Sequence, residues 1–245
     1  MKLSIIIPVL DSHEVLRRQL INFENIGIPD DVEIIIIDDG SNPPLEYDGP
    51  LSISIHATND TRPWTWALAR NVGARIAKGK YLFMYDLDHF IDKEALDYAR
   101  YFNGDKIQFK REFAILNEDG VFRQNLEELV AYGFPRERYE DREFRLQPLP
   151  NNFVMRRDLF WELGGYREDL VERSYPQGED RLFKKAFSDW EKSGKGHVHH
   201  ERPVLYMFPN GYFCGGDVDF NPFGLFHKLS RVSRRNSRYR KKEQK

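Results

Sequence analysis

Three continuous apolar runs in the first ninety residues end in acids, and that pattern constrains the fold more than any other feature. Leu3–Val9 is followed by Asp11, Val32–Ile37 by Asp38-Asp39-Gly40-Ser41, and Lys80–Tyr85 by Asp86-Leu87-Asp88. A strand apolar on both faces needs cover on both faces, which is the signature of a parallel sheet sandwiched between helices. Between the runs lie helix signals. Asp11 or Ser12 can cap a helix from about Glu14 to Ile26 with Leu16, Leu20 and Phe23 on one face, stopped by Gly27 and Pro29. Thr65–Lys78 reads as a helix with a buried stripe of Leu68, Val72 and Ile76, closed by Gly79, and a shorter strand spans Leu51–His56. Ligands of such sheets sit at the carboxyl ends of the strands, where Asp11, Asp38, Asp39, Asp86 and Asp88 all fall.

The two carboxylates Asp86 and Asp88 are one residue apart. If the strand continues through them they project from the same face and repel each other, so a positive charge must compensate. A divalent cation carrying a phosphorylated ligand does this economically. The bland alternative is a pair of solvated loop acids before the helix that Asp92 opens.

The second half is patterned differently. Lys106–Phe109, Glu112–Leu116 and Val121–Arg123 read as short strands, Leu126–Tyr132 as a short helix, and Pro135–Pro150 as a charged, proline-rich loop. Asn151–Met155 is a strand, Arg157–Leu163 a helix ending at Gly164-Gly165, Glu179–Lys192 a helix, and His197–Phe208 contains another strand.

The 245 residues carry a net charge of −2 and suit one α/β domain, residues 1–227, with a basic tail at 228–245. That tail holds nine basic residues against Glu243 alone, which leaves about −10 on the remainder. It suits an anionic membrane surface; beyond Tyr239 no stacking aromatic accompanies it, which argues against nucleic acid. No apolar run approaches the roughly 20 residues that cross a bilayer. A single cysteine, Cys214, excludes an internal disulfide and a cysteine-built zinc site and is compatible with a cytoplasmic setting, peripheral at the membrane if the tail anchors it.

Taken in order, SIIIPVLDSHEVLRRQL, VEIIIIDDGS, LARNVGARIAKGKYLFMYDLDHFI, NNFVMRRDLFWELGGYRED and GEDRLFKKA resemble the family 2 glycosyltransferases of the GT-A fold, from about Leu3 to His200. The resemblance implies a nucleotide-diphosphate-sugar-binding half at 1–105 and an acceptor-binding half at 106–227. It implies transfer of a sugar, with a uridine nucleotide as the expected carrier, to a hydroxyl of a glycan or glycolipid acceptor with inversion. It assigns Asp88 as ligand of a divalent Mn2+ or Mg2+, with Asp86 at the ribose or assisting the metal, and Asp39 accepting from the imide N–H of the base. Pro8 and Asp11 line the same nucleotide site, and Arg70, lying off the apolar stripe, contacts diphosphate or base. Asp180, at a helix start, is the candidate general base, Glu179 binds or orients acceptor, and Trp64 can stack on a sugar. Many relatives place a third, histidine ligand after that helix; Arg202–Phe208 contains none, leaving His199 and His227 as weak substitutes. The alternatives are a haloacid-dehalogenase-type phosphatase, whose Asp-x-Asp is not normally followed by His-Phe as at His89-Phe90, and a non-catalytic carbohydrate-binding relative. A sugar-phosphate nucleotidyltransferase needs a Gly-rich loop after the first strand, which Pro8–Ser12 is not.

Overall fold

The structure, a computed structural model, describes residues 1–60, 62, 65–131, 145–146, 151–169, 179–196, 198–199 and 204–207. Its frame is a seven-stranded sheet. Within it β1 (Leu3–Val9) is flanked in parallel by β2 (Val32–Asp38) and by β4 (Tyr81–Met84), the central strand, with β3 (Ile53–Ala57) outside β2. On the other side of β4, β11 (Phe153–Arg156) runs antiparallel to it and to β6 (Lys106–Gln108), and β12 (Val198–His199) closes that edge parallel to β6. The expected parallel sheet is therefore interrupted by one reversed strand.

The unbroken apolar runs have the cause inferred from sequence. Ile5, Ile7, Ile34, Ile36 and Phe83 face one core with Leu16, Leu20 and Phe23 of α1 (His13–Ile26) and Leu96 of α3 (Lys93–Tyr101). Ile6, Ile35, Ile37, Leu82 and Met84 face a second core with Ala69 and Ala74 of α2 (Trp66–Ile76) and the aromatics of α5 (Arg157–Glu162) and α6 (Glu179–Lys192). Alternate residues of one strand thus serve two cores, each fully buried side chain contributing about 1.5–3 kcal/mol.

The expected stripe on α2 is not the buried one. Leu68 and Val72 are half-buried and Ile76 is exposed, whereas Ala67, Ala69, Arg70, Asn71, Gly73 and Ala74 are buried. Small residues let this helix lie close to the sheet: a Cβ on Gly73 would stand 2.4 Å from Ile6 Cγ2. Close approach, not apolar bulk, chose the buried face.

A second, four-stranded sheet of order β10-β7-β13-β5 covers the carboxyl edge beside β4, built from β10 (Arg145–Leu146), β7 (Lys110–Phe113), β13 (Val204–Met207) and β5 (His89–Phe90). β8 (Ile115–Leu116) and β9 (Phe122–Arg123) form a hairpin ahead of α4 (Leu126–Ala131). Asp92 caps α3 as expected, accepting from the Ala95 backbone N–H at 2.7 Å. No helix among the described residues is long and apolar enough to cross a membrane. The Pro135–Pro150 loop, apart from Arg145–Leu146, and the basic tail lie outside the described residues.

Candidate active site

The carboxyl ends of β4, β1 and β2 lie side by side, and the acids named from sequence are gathered there. At the end of β2, Asp38 and Asp39 divide the work. Asp38 folds the loop: its Oδ1 accepts from the Gly40 and Ser41 backbone N–H groups at 3.2 and 2.7 Å, and its Oδ2 from Leu45 at 3.0 Å. This is an Asx-type turn. Asp39 is also buried, 2% exposed, with the Thr58 and Thr65 hydroxyls donating to its two oxygens at 3.0 and 2.5 Å. It lines a small hollow with Pro8, Val9, Leu10 and Trp66.

Asp11 does not cap α1. Ser12 is the N-cap residue and makes no side-chain capping bond. Asp11 sits at φ +51°, a conformation that aspartate tolerates better than most residues. Its N–H donates to Ser41 Oγ at 2.9 Å and its Oδ1 accepts from the Asn42 N–H at 2.7 Å. The residue ties the loop after β1 to the loop after β2 and so shapes the floor beside Asp39.

Asp86 and Asp88 are held together by a turn and not by strand alternation, because β4 ends at Met84. The His89 N–H donates to the Asp86 carbonyl at 3.0 Å, closing the turn. Ligand atoms of Asp86, Asp88 and His89 then come within 4.8 Å of one another. Arg70, fully buried, donates from Nη2 to Asp86 Oδ1 at 2.6 Å, its guanidinium lying 5.5 and 5.4 Å from the ring centroids of Trp66 and Tyr166. Arg70 lies off the stripe named from sequence and is nonetheless buried, as the counter-charge of Asp86. Burial pushes the Arg111 guanidinium of β7 below its ordinary value, while the charges of Asp88 and Asp86 pull it back up. Two carboxylates therefore sit in the field of two guanidiniums.

His89 Nδ1 lies 2.7 Å from Asp88 Oδ1. A carboxylate only accepts, so Nδ1 is the nitrogen that carries the hydrogen, and Nε2 is the ring nitrogen not engaged by Asp88. Oxygen donors with one imidazole suit Mn2+ or Mg2+ better than a soft metal. Asp86 and His89 are closely enclosed (side chains 9% and 0% exposed), and Asp88, at 27%, is the member open to an incoming cation. The donor set fits the metal that the resemblance implies, with His89 as its histidine; His227 and the side chain of His199 lie outside the described residues.

The Ala69-Arg70-Asn71 segment also ties α2 to the Gly165-Tyr166 turn. Asn71 Nδ2 donates to the Tyr166 carbonyl at 2.8 Å and its Oδ1 accepts from the Tyr166 N–H at 3.0 Å. Gly165, at φ +62°, passes so close that a Cβ there would stand 3.0 Å from Asn71 Oδ1. Phe183 of α6 stacks on Phe153, with centroids 5.5 Å apart, and Phe153 pairs with Met84 at the end of β4. Helix α6 consequently begins at the same edge of the sheet as Asp86. Asp180, in its first turn and half-buried, accepts from the Arg181 N–H at 2.7 Å. The Glu179 side chain and Trp64 lie outside the described residues.

Reading the sequence missed His89 and Arg111 as members of this cluster, and Asn152 and Gln19 as its supports. Asn152 was visible only as part of a motif; a polar pair directly before an apolar strand was the available signal.

An open α/β sheet with carboxylates along the carboxyl edge, one reversed strand and a second small sheet beside it defines a GT-A-fold domain. The family model for glycosyl transferase family 2 matches residues 4–164, and the chain belongs to that family. It is 28% identical over 151 residues to a poly(ribitol-phosphate) beta-glucosyltransferase of Bacillus spizizenii, an alignment covering 58% of this chain and 22% of the relative. Among solved structures, S. aureus TarS 1-349 matches at TM-score 0.56 and 19% identity, over 85% of this chain and 60% of that one. The same protein in complex with UDP-GlcNAc matches at TM-score 0.57 and 18% identity, over 95% and 66%. The chain thus spans about a fifth of the curated relative's length, and the structural likeness concerns the fold.

Proposed function

We propose that this chain is a glycosyltransferase that moves a sugar from a UDP-sugar to a hydroxyl of a glycan or polyol-phosphate acceptor, with inversion at the anomeric carbon. The observation that carries the reading is the placement of Asp39 and the Asp86–Asp88 turn at the ends of strands on either side of β1. One offers an acidic acceptor to a pyrimidine imide N–H; the other offers carboxylates where a diphosphate needs its charge balanced. The UDP and UDP-GlcNAc complexes of TarS and the name of the curated relative support the donor and acceptor classes.

In this reading the base meets Asp39 beside Pro8, Val9, Leu10 and Trp66. Asp88, with Asp86 and His89 beside it, would hold Mn2+ or Mg2+, which when bound supplies positive charge to the departing diphosphate. Arg70 fixes Asp86. Asp180 takes the proton of the acceptor hydroxyl; the oxygen bonds to the anomeric carbon as the bond from that carbon to phosphate breaks, and UDP leaves with the electron pair. Glu179 and Trp64 are assigned to the acceptor. The basic tail is read as an attachment to an anionic surface, supported by its nine basic residues.

Release of UDP from a panel of UDP-sugars, offered with ribitol-phosphate polymer and Mn2+, tests the proposal. Asp180→Asn should bind UDP as the parent does and turn over at least about a hundredfold more slowly. Near-normal turnover removes Asp180 as the base, and no transfer from any UDP-sugar removes the reading.

A further inference from the structure

The Asp86–His89 turn is gripped by two buried carboxamides that come from distant parts of the chain. Gln19, on α1, donates from Nε2 to the Leu87 carbonyl at 3.0 Å and to the His89 carbonyl. Its Oε1 accepts from the Tyr85 hydroxyl at 3.2 Å. Those contacts touch backbone and a neighbouring phenol, so Gln19 supports the path of the chain.

Asn152 does something different. It stands just before β11, whose Phe153 pairs with Met84, so its side chain meets the chain where β4 has ended. It is 1% exposed. Its Oδ1 accepts from the Asp86 N–H at 2.8 Å, and its Nδ2 donates to Asp86 Oδ2 at 3.3 Å. The same Nδ2 is 3.4 Å from both ring nitrogens of His89. The carboxamide offers an acceptor to the main-chain N–H and a donor to the carboxylate at once, from two separate atoms. With Arg70 on Oδ1 and Asn152 on Oδ2, both oxygens of Asp86 are fixed, and the amide nitrogen also bounds the position of the imidazole.

We propose that Asn152 is a positioning residue for the cation site, setting Asp86 and His89 so that the carboxylate of Asp88 meets a divalent ion in one arrangement. This rests on the metal-assisted reading given above. Side chains that orient metal ligands typically matter by 10–100-fold in metal affinity when removed. The local geometry explains why the effect passes through Asp86: losing the amide removes the hydrogen bond to its backbone and the one to its side chain together.

The test is Mn2+ titration by electron paramagnetic resonance with the full chain saturated in UDP, beside UDP affinity in EDTA by calorimetry. Asn152→Ala should weaken Mn2+ at least about tenfold and leave metal-free UDP affinity within about twofold. If that variant does not fold, Asn152→Ser, which keeps a small polar group in the space, is measured instead and should show the same selective loss. Asp88→Ala in the same assay separates the two ideas. Mn2+ binding lost in Asp88→Ala and unchanged in both Asn152 variants overturns the role of Asn152 alone. Mn2+ binding unchanged in Asp88→Ala overturns the metal reading beneath it.

Discussion

Arg70 and Asp86 form a buried ion pair at 2.6 Å, with side chains 0% and 9% exposed, between helix α2 and the turn that follows β4. Removing one partner strands a charge away from water, which typically costs 3–5 kcal/mol. Arg70→Met should lower stability by about that amount in urea unfolding. Adding Asp86→Asn to it should recover part of the loss, since the stranded charge is then gone.

Lys106 lies beneath α6 with its Nζ 4.4 to 5.7 Å from the ring centroids of Phe187, Phe153 and Phe183. The rings favour the ammonium, but burial outweighs them and Lys184 adds repulsion that Glu191 only partly offsets, so its pKa falls from 10.5 to about 7. Between those values the unfolded chain holds the extra proton, so Lys106 makes folding stability rise as pH climbs through that window. Below about pH 7 the ammonium is present in both states and its burial cost is constant. Lys106→Met should therefore stabilise most near neutral pH, by roughly 1–4 kcal/mol, and flatten the rise up to pH 10. Urea midpoints across that range measure it.

Gly73 tests the claim that α2 is placed by close approach. Alanine at a helix interior ordinarily gains about 1 kcal/mol over glycine. Here the added carbon would meet Ile6 Cγ2 at 2.4 Å, and overpacking of a core typically costs 1–3 kcal/mol. Gly73→Ala should lower the melting temperature; a rise would mean the helix can step away from the sheet without loss.

Much of this architecture was legible in the chain because it is local. Leu3–Val9 as a strand, α1 with its Leu16, Leu20 and Phe23 face, and Glu179–Lys192 as a helix all follow from apolar spacing and stop signals, and the structure places them there. The grouping of Asp39, Asp86 and Asp88 at one edge followed from strand polarity. What escaped depends on contacts made over long separations. The pairing of Val204–Met207 with Lys110–Phe113 joins segments almost a hundred residues apart, and nothing in either segment names the other. The burial of Arg70 could not be read from the spacing of Leu68, Val72 and Ile76; only the presence of Asp86 makes a buried guanidinium favourable. Asp86 and Asp88 converge as expected, but through a turn, since β4 stops at Met84 and reaches neither of them.

The central claim is that the edge of the sheet holds a nucleotide diphosphate together with a cation at Asp88. Calorimetric titration of UDP into the chain, with and without Mn2+, in parallel with Asp88→Ala, measures this directly. The account predicts that Mn2+ tightens UDP binding to the parent at least about tenfold, as removal of a metal-site group typically costs, and that Asp88→Ala abolishes the gain while metal-free binding persists. Equal enhancement by Mn2+ in both proteins, or no UDP binding by the parent under either condition, would contradict it.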